Sequence, residues 1–153
     1  MSVLTTAAVL DQVYGHELDD PVTYPSGVAM LGRLRLAAHR GDVDRVAQEI
    51  AQLAEPLLNG ETHLPDAAPC LAAACFASEL YEINGDARLR DLVLDCANRF
   101  TWDGDVRVED FFFAATLLGR ATALSGERAF ADQLFEGLLA ADTLQASGLY
   151  WHC

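Results

Sequence analysis

Apolar residues recur with helical spacing along most of the 153-residue chain. Three segments share one plan: an apolar run, a Gly followed by an acidic residue, and a second run whose apolar residues keep to one stripe. The Gly-acid pairs are Gly41-Asp42, Gly85-Asp86 and Gly126-Glu127. The glycines lie 44 and 41 residues apart, which is the scale of a repeated helix pair. The pattern predicts an all-α protein with helical hairpins near residues 27–57, 68–100 and 110–144.

Each Gly-acid pair predicts a tight turn between two helices. Gly ends a helix in the left-handed conformation without steric cost. The acid after it can cap the next helix and face its positive end.

The two helices of each hairpin differ in character. The second helices carry one apolar stripe, such as Val46, Ile50, Leu53 and Leu57. The first helices are apolar nearly all round, from Leu71 to Ala77 and from Phe111 to Leu118. A helix that is apolar on every side is expected to be buried on every side. The first helices are therefore predicted to form an inner layer and the second helices an outer one, with one further helix over residues 3–14.

Two architectures have this layering: an open helical solenoid, which is a binding scaffold, and a closed (α/α) toroid, which is usually an enzyme. The connections between hairpins, "NGETHLPDAAP" and "FTWDGDVRVED", are long and rich in acids and aromatics. Hairpins in register would gather these connections at the end where the inner helices begin, here called the rim. Such a rim suits a sugar-binding cleft. The rim residues are Tyr24, His63, Asp66, Trp102, Asp103, Arg107, Glu109, Asp110, Tyr150, Trp151 and His152.

The amino-acid composition limits which classes of partner the protein can bind and which cellular compartment it can occupy. The net charge is −13 and every one of the ten basic residues is Arg, which argues against nucleic acid or an anionic membrane as partner. No apolar run reaches the length of a membrane span, and the N-terminal segment lacks the pattern of a signal peptide, so we predict a cytoplasmic protein. His63, Cys70, His152 and Cys153 do not match a known zinc spacing, and no metal is predicted.

The chain resembles the unsaturated glucuronyl and unsaturated rhamnogalacturonyl hydrolases, glycoside hydrolase families 88 and 105. The similar segments follow one another along most of the chain. They are "YPSGVAMLGRLRLAAHRGD", "HLPDAAPCLAAACFASELYEINGD", "VRVEDFFFAATLLGRATALSGE" and "LQASGLYWHC". The resemblance implies a ring of six hairpins, of which this chain would supply about half. The expectation is a truncated hydrolase with weak or no activity in isolation, which self-associates or joins a complementary C-terminal half.

The resemblance also implies the chemistry, which is hydration of a vinyl ether in an unsaturated uronic-acid oligosaccharide without cofactor or metal. By position, the catalytic acid falls on Glu109, where the family has Asp, with Asp110 as the alternative and Asp66 as the supporting carboxylate. The substrate-binding residues implied at the rim are Tyr24, His63, Trp102, Arg107, Trp151 and His152.

Structural roles for the same residues stay open. Asp66 or Asp110 can simply cap a helix, Glu109 can be a solvated first-turn acid, and Trp102 or Trp151 can plug the space between helix layers. The second functional hypothesis is a non-catalytic helical-repeat module that binds another protein.

Overall fold

The structure, a computed structural model, describes residues 23–102 and 108–140, and every regular element in these ranges is helical. The prediction of an all-α fold is confirmed for this part of the chain. The helix predicted over residues 3–14 lies outside the described residues.

The described helices form three hairpins in chain order. The first hairpin pairs α1 (Tyr24–Arg40) with α2 (Val43–Leu58), and the third pairs α6 (Val108–Ser125) with α7 (Arg128–Ala140). The second hairpin begins with a continuous helical stretch and ends with α5 (Ala87–Arg99). That stretch, here called the central helix (residues 68–84), consists of α3 (Ala68–Leu71), a 3₁₀ segment (Ala72–Phe76) and α4 (Ala77–Asn84).

The glycine turns take the predicted conformation. Gly41, Gly85 and Gly126 have φ values of 83°, 73° and 74°. Their amides donate to carbonyl oxygens four residues earlier, at 2.8–2.9 Å. Gly therefore ends the first helix of each hairpin because only this residue adopts a positive φ without strain.

The prediction that the acid after each glycine caps the next helix holds at one turn and is wrong at another. Asp86 caps α5, because its Oδ1 accepts from the backbone amide of Arg88 at 3.0 Å. Asp42 makes no such bond, and its carboxylate accepts instead from Arg45 Nη2 at 2.7 Å. A guanidinium one turn away has thus drawn the Asp42 side chain off the helix end.

The inner helices α1, the central helix and α6 run parallel to one another. Near its start, α1 lies so close to the central helix that a Cβ on Gly27 would overlap the carbonyl oxygen of Ala73. Further along both helices, Arg35 Nε donates to Glu79 Oε1 at 2.8 Å. On the other side, Phe113 near the start of α6 contacts Tyr24 at the start of α1. Further along α6, Arg120 Nη1 donates to Ser78 Oγ at 2.6 Å. Contacts that advance together along two helices require the helices to point the same way.

Two hydrophobic clusters join the hairpins, and the second hairpin contributes to both. The first cluster packs Met30, Leu34 and Ile50 of the first hairpin against Phe76 and Leu80. The second packs residues of the central helix and α5 against α6 and α7, and its largest members are Leu71, Phe100, Phe113, Leu117, Leu118 and Phe130. The core is therefore continuous across the three hairpins.

The predicted all-round burial holds for the central helix and is wrong for α6. Leu71 to Ser78 are eight consecutive buried residues. On α6, Phe113, Ala114, Leu117 and Leu118 are buried, whereas Phe112 is 43% exposed and Ala115 is exposed. The central helix has α1 on one side and α6 on the other, but in the described residues α6 has an inner helix on one side only. The three hairpins fit the predicted layering, and the toroid stays a prediction.

Candidate functional site

The rim is assembled at the end where α1 and α6 begin. The ring centroid of Tyr24, the first residue of α1, lies 4.9 Å from that of Phe113 and 5.9 Å from that of Phe112. Glu109 and Asp110 occupy the first turn of α6 and are half-buried. The two acids therefore lie at the same end of the molecule as Tyr24, as parallel inner helices require. The negative charge of both also suits the positive end of the α6 dipole.

Asp66 lies at this rim but is held by the outer layer. Arg99, the last residue of α5, donates from Nε to Asp66 Oδ1 at 2.6 Å. The same guanidinium also bonds Asp95 Oδ2 at 2.8 Å and the carbonyl oxygen of Leu64. The Asp66 side chain is 76% exposed. The N-cap position of α3 is occupied by Ala67, and no side chain makes a capping hydrogen bond there. The helix-cap role left open for Asp66 is therefore wrong.

Trp102 packs between the second and third hairpins. Its Nε1 donates to the carbonyl oxygen of Gln133 on α7 at 3.2 Å, and its ring lies 5.6 Å from Phe100 in an edge-to-face arrangement. A Cβ on Gly137 would overlap the indole, so the ring lies directly against the α7 backbone. Gln133 Nε2 returns a bond to the carbonyl oxygen of Phe100 at 3.0 Å. These contacts are those of a plug between helix layers, the structural role that the sequence left open beside substrate stacking.

The remaining predicted residues divide between the surface and the undescribed segments. His63 is exposed in the connection between α2 and α3. Arg107, Trp151 and His152 lie outside the described residues, as do Asp103, Tyr150 and Cys153. Within residues 23–102 and 108–140, no group of three or more His, Cys, Asp or Glu side chains is placed to hold a metal ion.

A buried polar contact in the inner layer was missed by the sequence reasoning. Ser78 is 5% exposed and accepts from Arg120, which reaches it from α6. Burial raises the pKa of the neighbouring Cys75 thiol to about 11, although the positive charge of Arg120 acts in the opposite direction. A thiol with this pKa is protonated and unreactive at neutral pH. The sequence signal for this contact was Arg120, the one basic residue of the inner helix α6.

A second missed feature is an exposed apolar surface on the third hairpin. Phe135 and Leu139 of α7 are 61% and 86% exposed, and Leu138 is also exposed. Phe135 lies two residues from both Gln133 and Gly137, so it is on the opposite side of α7 from Trp102. Phe112 of α6 is also exposed, and its ring packs against Tyr24 at the rim. We call the surface formed by Phe135, Leu138 and Leu139 the third-hairpin face.

Comparisons with known proteins give no relative for this chain: no family model, curated protein or solved structure matches it. Among the helices described here, none combines the length and the apolar character needed to cross a membrane.

Proposed function

We propose that this protein is a glycoside hydrolase-like protein of the unsaturated-uronide class, built on part of a six-hairpin fold. The observation that carries the proposal is the parallel arrangement of the inner helices, with Tyr24, Glu109 and Asp110 at one end. This is the end where the resemblance to families 88 and 105 puts the substrate cleft. Acids beside aromatic rings are what recognition and protonation of a sugar require.

The proposed reaction is hydration of the C4=C5 double bond of a terminal unsaturated uronic acid. A carboxylic acid gives its proton to C4, and water adds at C5 with loss of a proton to a carboxylate. The resulting hemiketal opens the ring and releases the neighbouring sugar. We assign proton donation to Glu109 or Asp110. Asp66, held by Arg99, is assigned a supporting place at the edge of the cleft.

The proposed cleft needs more than three hairpins to close. The resemblance implies six, and the described residues supply three. Additional hairpins would come from a complementary half or from a second copy of the chain. We therefore expect this chain to bind the unsaturated disaccharide and to turn it over slowly or not at all.

The test is to titrate the protein with an unsaturated uronic-acid disaccharide and with its saturated counterpart. Binding is followed by calorimetry, and turnover by loss of the ultraviolet absorbance of the double bond. We expect binding of the unsaturated sugar to weaken in Glu109→Gln and Asp110→Asn, with Glu61→Gln, an exposed acid in the connection after α2, as the matched control. Absence of both binding and turnover in the wild-type protein would overturn the proposal.

The second candidate function is a helical-repeat module that binds another protein. The observation that favours it is the third-hairpin face, because large apolar side chains grouped on a surface mark interaction sites. For either function we propose a cytoplasmic location, with which the free thiols of Cys70, Cys75 and Cys96 agree.

A further inference from the structure

The third-hairpin face has an apolar centre. Phe135, Leu138 and Leu139 project from the second half of α7 and are exposed. Helix faces of this kind bind the apolar stripe of another helix, whose side chains at helical spacing fill the surface between them.

The border of this face is acidic. Asp132 and Glu136 follow the apolar stripe along α7, and both are exposed. Residues 108–140 contain five acidic residues and two arginines. Arg120 bonds Ser78 in the inner layer, and Arg128 pairs with Asp132 on the surface of α7. This ion pair offsets the charge of Asp132, so Glu136 carries the negative charge of the border.

This charge pattern decides between a second copy of the chain and a different partner. A second copy would bring the same acidic border against this one, and the whole chain carries a net charge of −13. Like charges brought together at an interface oppose association. A partner with Lys or Arg beside its apolar stripe would instead be attracted to Glu136 and to the net negative charge of the chain.

We propose that the third-hairpin face docks an amphipathic helix of another protein, whose apolar stripe is flanked by Lys or Arg. Phe135 and Leu139 provide the apolar contact, and Glu136 selects the basic flanks. This inference rests on the interaction role proposed above and is independent of the hydrolase role.

The experiment uses two labelled synthetic peptides that share one Leu stripe at helical spacing, one with Lys flanks and one with Glu flanks. Binding to the full chain is measured by fluorescence anisotropy. We expect the Lys peptide to bind and to weaken as salt screens the border, and the Glu peptide to bind at least about tenfold more weakly.

Paired variants locate the binding surface. Phe135→Ser is expected to weaken the Lys peptide about tenfold or more, as loss of a central aromatic contact does. Glu136→Lys is expected to weaken the Lys peptide and to strengthen the Glu peptide. Ile83→Ser and Glu82→Lys are the matched controls, since they remove an exposed apolar residue and reverse an exposed acid at the end of α4, and both should leave binding unchanged.

Each other result overturns the proposal in a way that can be identified. If neither peptide binds, the interaction role fails together with this inference. If both peptides bind equally, or if sedimentation shows a dimer that Phe135→Ser dissociates, the face binds a partner but the basic partner is wrong. Binding of the Lys peptide only after removal of residues 141–153 would mean that the chain covers its own face. The disaccharide titration is unaffected by any of these outcomes.

Discussion

The central helix and α6 have similar apolar patterns and different surroundings. Both are apolar nearly all round, yet Leu71 to Ser78 are buried without exception while Phe112 and Ala115 of α6 are exposed. The difference comes from the neighbours. Among the described residues, the central helix packs between α1 and α6, whereas α6 has an inner helix on one side only. The apolar pattern of a helix thus shows how much apolar surface it has. Whether that surface is buried depends on the hairpins that pack against it.

The two regions also differ in how closely their helices approach. The central helix meets α1 backbone to backbone, at Gly27 and Ala73, within an alanine-rich 3₁₀ segment. The third hairpin is joined to the second through a large side chain, because Trp102 fills the space beside Gly137. Because the backbones are so close, the contact between Gly27 and Ala73 leaves no room for a larger side chain. It also fixes how far α1 is shifted along the central helix.

The largest expected effect tests whether burial differs as described. Leu71→Ala in the central helix should lower the free energy of unfolding by about 2–5 kcal/mol, because it leaves a cavity in a fully packed core. Leu139→Ala on the third-hairpin face should change it by no more than about 0.5 kcal/mol, since this side chain is 86% exposed. Urea denaturation followed by circular dichroism measures both. Equal losses in the two variants would contradict the comparison.

The next effect tests the close approach of α1 to the central helix. Gly27→Ala places a methyl group against the Ala73 carbonyl and should destabilise the fold by about 1–3 kcal/mol, as overpacking does. Gly32→Ala, on the same helix, meets nothing within 4 Å and should be neutral or stabilise by up to about 1 kcal/mol through helix propensity. The same denaturation experiment applies. A stabilising Gly27→Ala would show that the two helices do not pack at this distance.

Most of the fold could be predicted from the sequence, because the helices and turns depend on patterns within short segments of the chain. Gly41, Gly85 and Gly126 give the turns, since a positive φ is a property of the residue itself. The stripe on α2 gives its buried side, with Val46 and Ile50 inside. The exposure of Phe112 could not be predicted in this way, because it depends on which elements lie next to α6. The 3₁₀ segment was also missed, and the close contact at Gly27 lies within it.

For the candidate site, sequence reasoning gave the place of the residues and not their contacts. Parallel inner helices bring Tyr24 to the start of α6, as the register of the hairpins predicts. That Asp66 is held by Arg99 depends on a contact between residues 33 positions apart. The packing of Trp102 on α7 depends on Gly137, whose missing side chain leaves room for the indole. Such long-range pairs have no signature in a single sequence.

The smallest expected effect compares the turn that carries the central helix with the turn of the first hairpin. Asp86→Ala should cost about 1 kcal/mol at neutral pH, because it removes a cap bond to the amide of Arg88. Asp42→Ala should cost less, since Asp42 makes no cap bond.

Hydrogen bonds from the Arg88 side chain, then from its backbone amide, hold the pKa of Asp86 below its usual value. The contribution of Asp86 is therefore complete above about pH 4, the ordinary pKa of Asp, and is lost as the pH falls through the lower folded value. Asp86→Asn, which keeps a cap and cannot ionise, is the control: the stability difference between wild type and Asp86→Ala should shrink below pH 4, and that between Asp86→Asn and Asp86→Ala should stay constant. A wild-type difference that grows on acidification would contradict this account of the turn.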